Sequence, residues 1–316
     1  MPTRKSPRKG SLQFWPRKRA KKFLPRVNWN AINSEENLKG FIGYKVGMVS
    51  VSVKDNTPDS LTKGKTIAIP TTIIECPPMK IFSVRFYKDN NVLSEILSEN
   101  LDKELKRKVK IPKAKVKKSI EEIKDYDDVR VILYSQVKKT GIKKTPDLIE
   151  VGLSGEIEGK IKFIKENIGK EILVSDIFEK EQLVDLSGLT KGKGLSGPVK
   201  RFGITLKGHK SEKGRRKPGS LGPWHPARVT FRVPQAGQLG MFTRTVYNNK
   251  IISMGTGKEL DKNLKDIKNF GNIKTDYIIV RGSIQGPSKR QLIITQPLRA
   301  TKKQLKKNFE MIGVIR

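Results

Sequence analysis

The sequence predicts a mainly β protein, a closed barrel or a sandwich, with an α+β insertion, long basic extensions and a long basic loop. Three observations predict it. Short β-branched runs divided by glycine and proline recur along the chain, the pattern of closed barrels and sandwiches. One block, Asn91 to Asp185, holds 19 of the 31 acidic residues against 20 basic ones, so it is nearly neutral in a chain of formal charge +35. The excess charge lies in the remaining segments, several of them rich in proline, glycine and lysine. At 316 residues with 35% hydrophobic content, the chain has the length for one large or two medium domains and the means to bury a core.

Residues 1–38 read as a basic RNA-binding extension. Met1 to Ser34 carries ten basic residues, no acid, and prolines at 2, 7, 16 and 25, too little apolar surface to fold alone. Phe14, Trp15, Phe23 and Trp29 interleave the charges, which suits insertion between RNA helices with rings against bases or sugars. The competing reading, a localisation signal, does not need four aromatic residues. Arg8, Lys9, Trp15, Arg17, Lys18 and Arg19 are the candidate contacts here.

Residues 39–90 hold the first barrel strands, in FIGYKVGMVSVSV, KTIAIPTTIIECPP and MKIFSVRFYK. Residues 91–181 form the charge-balanced insertion. Ser94 to Lys108 and Ser119 to Lys124 look helical, KVKIPKAKVKKS between them reads as an exposed connection, and a strand VRVILYSQV precedes a helix near Gly155 to Asn167. The barrel resumes over 182–206 and is completed over 231–297, with strand-like runs EQLVDLSGLTKG, ARVTFRVP, FTRTVYNNKIISMG, DYIIVRGSI and RQLIITQP. Residues 298–316 are a basic tail with a short helix.

Between the barrel segments lies the basic loop 207–230. From Leu186 to Lys258 the only acid is Glu212, against 15 lysines and arginines. Packed against its own protein such a run repels itself, whereas a polyanion offsets the repulsion and releases counterions. A loop this long in a compact domain is functional or disordered. His209, Lys210, Lys213, Arg215, Arg216, Lys217, Trp224, His225 and Arg228 are its candidate contacts. Trp224 offers a stacking face worth about 1–3 kcal/mol against a base, or else packs locally with Leu221. The bland alternative for the whole charge pattern is a solvated lysine coat, but such coats mix both signs.

Several chemistries find no support. Gly192, Gly194 and Gly197 spell G-x-G-x-x-G, yet Pro198 and a turn at Gly203 follow where a dinucleotide fold needs a helix to open. The segment is either a phosphate-tracking turn flanked by Lys191, Lys193, Lys200 and Arg201, or a plain barrel turn. MGTGKE has Ile252 where a phosphate loop needs its first glycine. Cys76 is the only cysteine and His209 and His225 the only histidines, so no intrachain disulfide, metal site or cofactor is expected, and Cys76 reads as a buried thiol of a reducing, cytoplasmic compartment. No run of eighteen apolar residues marks a membrane span. Gln238, in PQAGQLG, sits at a turn within reach of RNA, and Arg244 follows it. No catalytic residue is assigned. The rivals to a structural RNA-binding protein are an RNA-modifying enzyme with basic docking arms and an architectural DNA-binding protein.

Four segments together resemble the universal large-subunit ribosomal protein three family, in its archaeal and eukaryotic branch: PRKGSLQFWPRKRA (7–20), FIGYKVGMVSV (41–51), VDLSGLTKGKGLSGPVKRFG (184–203) and LGPWHPARVTFRVPQAGQLGMFTRTVYNNKI (221–251). The similarity spans most of the chain in order, and the lack of a long C-terminal extension points to an archaeal source. The resemblance implies that the β-rich part is a Greek-key-like β-barrel of the translation-protein type, lying on the large ribosomal subunit. It also implies partners in large-subunit rRNA and neighbouring ribosomal proteins, and a single copy rather than a homo-oligomer. By the same resemblance the Trp224 loop reaches toward the peptidyl transferase centre and the path of incoming tRNA, with His209 to Arg216 as its stem and Arg8 to Arg19 alongside. KPGS (217–220) departs from eukaryotic members at the finger.

Overall fold

The apolar run after residue 38 folds as one long strand, β1 (Gly40–Asp55), and the rest of the larger β-sheet is laid against it. The computed structural model describes residues 7–33, 38–112, 120–123, 125–257 and 264–315. Its chain divides into two units: one made of the chain up to Phe23 with Leu189–Thr243, the other of Leu24–Gly188 with Arg244–Arg316.

In the larger unit, β2 (Thr66–Glu75) pairs antiparallel with β1 from Tyr44↔Glu75 to Lys54↔Thr66. After β3 (Met79–Lys88), β4 (Asn91–Leu97), β5 (Asp128–Ser135) and β6 (Leu148–Gly152) comes a helix, α1 (Ile157–Asn167), and then β7 (Leu183–Leu189). The smaller unit contributes β8 (Leu195–Ser196), α2 (Pro198–Phe202) and β9 (Gly237–Gln238). The chain closes with β10 (Thr243–Gly255), β11 (Tyr277–Arg281), β12 (Gln291–Thr295), α3 (Lys302–Leu305) and β13 (Phe309–Ile315). A seven-stranded sheet runs β12-β7-β10-β11-β2-β1-β13, and β1 pairs in addition with β12, from Gly40↔Thr295 to Tyr44↔Gln291. A four-stranded sheet runs β4-β3-β5-β6.

The two sheets share a core because apolar side chains, many of them β-branched, face inward from both: Phe41, Ile42, Leu292 and Ile294 from the first, Met79, Ile81, Val129, Val131 and Leu133 from the second. Burial of such side chains contributes about 1.5–3 kcal/mol each. Cys76 lies in this core at 1% exposure, its thiol donating to the Ile74 carbonyl at 3.7 Å, as the sequence led us to expect. A ladder of charges crosses the second sheet: Arg85 binds Glu95 (2.8 Å) and Glu150 (2.9 Å), and Arg130 binds Glu150 (3.3 Å) and Asp128 (3.1 Å). The mixed charge of the central block thus neutralises itself locally.

The structure corrects several readings. Trp29 does not stand out for RNA. It is 5% exposed within the core, and a Cβ on Gly40 or Gly152 would lie 2.8 or 2.6 Å from its side chain, so both glycines make room for it. The expected helix from Ser94 begins instead as β4. Asp89 and Asn90 both adopt left-handed φ (49° and 62°) and close a two-residue hairpin with Lys88↔Asn91 flanking it, and the pairing to β3 overrides the helical propensity of Glu95 and Leu97. Helical character survives only as a 3-10 turn at Lys103–Arg107. For the second expected helix, Ile120–Glu122 forms a 3-10 turn; residues 119 and 124 lie outside the described residues, as do 113–119 of the connection and 1–6 of the extension. ARVTFRVP makes turns rather than a strand, its side chains exposed or half-buried. The C-terminal segment is no tail: β13 pairs with β1 from Ser50↔Ile315 to Asp55↔Phe309.

Candidate nucleic-acid interface

The smaller unit contains 21 lysines and arginines and a single acid, Glu212. Its frame is a narrow ladder. Thr190 N–H donates to the Phe242 carbonyl (3.0 Å), Lys193 N–H to Leu239 (2.9 Å) and Leu239 N–H to Gly194 (2.9 Å), and β8 meets β9 through Leu195↔Gln238 and Ser196↔Gly237. Gly240 is required there. Its φ is +79°, and a Cβ would fall 2.0 Å from the Lys191 carbonyl oxygen.

A helix does open after the glycine-rich turn, contrary to expectation. Pro198 occupies the first turn of α2, where its missing N–H costs nothing, and Gly203 at φ +67° ends it. At five residues, α2 serves to bury Phe202, which is 6% exposed. The N-terminal segment docks on this ring: the Arg17 guanidinium lies 4.4 Å from its centroid and Arg201 5.3 Å, and a Cβ on Gly10 would come within 2.5 Å of it. Trp15 leans on Phe231, centroids 4.8 Å apart at 44°, and Ala20 N–H donates to Met241 (3.0 Å). The described part of the extension is therefore held against the loop segment by rings and a backbone bond, with Arg8, Lys9, Lys18 and Arg19 left exposed.

The candidate contacts separate into two kinds. Arg201 is engaged internally: Nε donates to the Gln238 carbonyl (3.0 Å) and Nη1 to Gln235 (3.0 Å) and Ala236 (3.4 Å). Arg17 donates to the Ser11 carbonyl at 2.6 Å. Burial, and then the neighbouring charge of Arg8 on Arg17 and of Arg17 on Arg201, lower both guanidinium pKa values below the ordinary arginine value, while the carbonyls and the Phe202 face compensate the crowding. Gln238 turns back on its own chain, donating to Leu239 (3.3 Å) and Gly240 (3.1 Å). Arg244 lies half-buried in β10 of the larger unit, where its carbonyl accepts from Gln285 (3.1 Å). The side chains of Arg201, Arg17 and Gln238 thus position backbone.

The other candidates are exposed. Arg8, Lys9, Lys18, Arg19, Lys191, Lys193 and Lys200 face outward, as do His209, Lys210, Lys213, Arg215, Arg216, Lys217, His225 and Arg228. Among the described residues no ion pair engages a cation of this unit. The basic loop has a stem, closed by Lys207 N–H to the Arg215 carbonyl (3.1 Å) and Arg215 Nε to the Lys207 carbonyl (3.2 Å), with left-handed Lys213 and Gly214 at the bend. Beyond it Trp224 is 88% exposed, so packing with Leu221 does not hide it. A free indole face beside unpaired cations can stack a base while the cations meet its phosphates. Among the described residues no three His, Cys, Asp or Glu side chains gather to hold a metal.

The sequence reading missed Phe202 and Phe231. Both follow or precede basic residues, in KRF and FRV, and an aromatic residue beside arginine in a glycine-rich loop is the available signal for such a stacking partner.

Comparison with known proteins bears on the whole chain. The model of the ribosomal protein L3 family matches residues 1–312. The large ribosomal subunit protein uL3 of Methanobrevibacter smithii is 40% identical over 316 residues, covering 94% of this chain and 93% of the relative. That of Picrophilus torridus is 40% identical over 306 residues (93% and 92%), and that of Methanocaldococcus jannaschii 38% over 306 residues (93% and 91%). With a family model spanning nearly every residue and archaeal relatives matched almost end to end, the chain belongs to the ribosomal protein L3 family.

Proposed function

We propose that the protein is a structural, non-enzymatic constituent of the large subunit of the cytoplasmic ribosome, present in single copy beside other ribosomal proteins, which binds and organises large-subunit rRNA during assembly. The observation that carries this is the smaller unit: 21 cations against one acid, most of the described ones exposed and none in an ion pair among the described residues, on a chain whose relatives are large-subunit proteins. Counterion release makes such a surface a binder of nucleic-acid backbone. Lys18, Arg19, Lys191, Lys193, Lys200 and the 207–217 stem take phosphates, while Arg17, Arg201 and Gln238 hold the frame.

The finer fold is a closed barrel of Greek-key type, supported by the additional pairing of β1 with β12, which joins the two ends of the run β12-β7-β10-β11-β2-β1. The domain scheme is extension 1–38, barrel 39–90, insertion 91–181, barrel 182–206, finger 207–230, barrel 231–297 and C-terminal 298–316, except that 79–88, read as a barrel strand, pairs as β3 with the insertion's β4 and β5 in the four-stranded sheet. The finger carrying Trp224 reaches toward the peptidyl transferase centre and the tRNA entry path, its exposed indole and unpaired stem cations suiting it to a cleft of folded RNA.

Affinity for a large-subunit rRNA transcript, measured against salt, tests this reading. Log K falls by about 0.7–0.9 per phosphate neutralised for each log unit of salt, so a steep slope is expected. A shallow slope, or equal affinity for duplex DNA, defeats it.

A further inference from the structure

The C-terminal segment brings a second group of cations together on the larger unit. Lys250, 4% exposed in β10, donates from Nζ to the Leu305 carbonyl at 3.2 Å and so ties down the end of α3. After α3 the chain enters β13, and Phe309, buried at its start, lies under Arg281 of β11 with the guanidinium carbon 5.0 Å from the ring centroid. Lys307 sits between these elements. Its pKa is lowered first by burial and then by Arg281 and Lys303, with only Asp55 acting the other way.

Among the described residues no acid forms an ion pair with this group. Asp55 is taken up by the β1–β2 loop, accepting from Thr57 N–H (2.9 Å), Ser60 Oγ (2.9 Å) and Thr62 Oγ1 (2.5 Å). Glu310 accepts from Asn56 Nδ2 at 3.3 Å. Among the described residues Arg281, Lys303 and Lys307 make no ion pair, and exposed Lys302 and Lys306 extend the same sign along α3.

We propose that Arg281, Lys303 and Lys307 form a second phosphate-binding surface, on the larger unit, that takes the backbone of large-subunit rRNA. Arg281 is pre-oriented by its aromatic platform, leaving its N–H edge for a bidentate phosphate contact, and the two lysines supply point charges beside it. A phosphate there relieves the repulsion that the folded chain leaves standing. The inference rests on the rRNA-binding reading above, and its test separates the two.

The first measurement is amine-reactive footprinting of the unaltered full chain, alone, bound to a transcript of archaeal large-subunit rRNA, and within whole large subunits. Lys303 and Lys307 are expected to lose reactivity with the transcript alone. Protection only in whole subunits assigns the surface to a neighbouring protein and overturns the proposal, as does no protection at all.

The second is the salt slope of the triple variant R281Q/K303Q/K307Q, expected to be shallower than that of the unaltered chain by about 2, with R281K/K303R/K307R retaining the slope. An unchanged slope in a folded triple variant overturns this surface alone. A shallow slope in the unaltered chain overturns the rRNA-binding reading itself.

Discussion

Replacing Trp29 and Trp224 in turn separates the two fates that one residue type meets in this chain. Trp29 is 5% exposed and its side chain fills the space over Gly40 and Gly152. A tryptophan buries about 150–250 Å², which at about 25 cal/mol per Å² gives about 4–6 kcal/mol as an upper bound; measured Trp→Ala changes in cores cost about 3–5 kcal/mol. In a unit of this size each kcal/mol moves the midpoint by about 2–4 °C. Trp29→Ala is therefore expected to lower the melting temperature of the larger unit by about 6–20 °C in calorimetry of the RNA-free protein. Trp224, at 88% exposure, contributes almost nothing to that core, so Trp224→Ala stays within about 0.5 kcal/mol of the unaltered chain. Equal melting of the two variants would refute the assignment of Trp29 to the core and return it to the RNA-binding aromatics.

Other expectations follow from the same geometry. Trp224→Ala leaves subunit yield largely intact and impairs tRNA accommodation, read by kinetics on purified subunits; a large loss of yield contradicts the finger assignment. Gly240→Ala meets the Lys191 carbonyl at 2.0 Å and is expected to lower both thermal stability and rRNA affinity; normal values of both count against the frame described here. Arg201→Gln removes donors to Gln235, Ala236 and Gln238 and should speed hydrogen exchange at the Leu239 amide, with no rescue by lysine, which lacks the fork. Hydrogen bonds from Thr57 and Thr62, with Ser60, hold the Asp55 carboxyl well below the usual range. Because its folded pKa is depressed, Asp55 stabilises the fold above the ordinary carboxylate value of about 3.9 and loses that contribution as pH falls toward the folded value. Asp55→Asn should therefore lower stability at neutral pH and flatten the acid limb of unfolding; an acid limb identical to the unaltered chain's sinks this account.

Much of the architecture was legible because alternation and turn chemistry are local signals. The runs at 41–53, 65–78, 79–88 and 276–284 became strands, and Gly155 to Asn167 became α1. What escaped depends on distant partners. β4 has a helix-forming composition and is a strand only because β3 stands ready to pair with it, although the Asp89-Asn90 turn was visible. β13 pairs with β1 more than 250 residues away, which no local pattern announces.

The interface was legible as charge and only partly as geometry. A one-sided run such as 207–217 is unmistakable, and its cations are exposed and make no ion pair among the described residues. Spacing could not distinguish Arg19, which faces outward, from Arg17, two residues earlier, which is committed to Phe202 and Ser11. Trp29 and Trp15 likewise read alike in sequence, and only the pocket made by two glycines sends one of them inward.

Crosslinking of the chain to RNA in cells, followed by sequencing of the attached fragments, tests the central claim most directly. The account predicts reads dominated by large-subunit rRNA, with crosslinks from the Trp224 loop falling near the peptidyl transferase region. Reads spread over many transcripts or genomic DNA would contradict it and mark the charge as that of a general nucleic-acid binder.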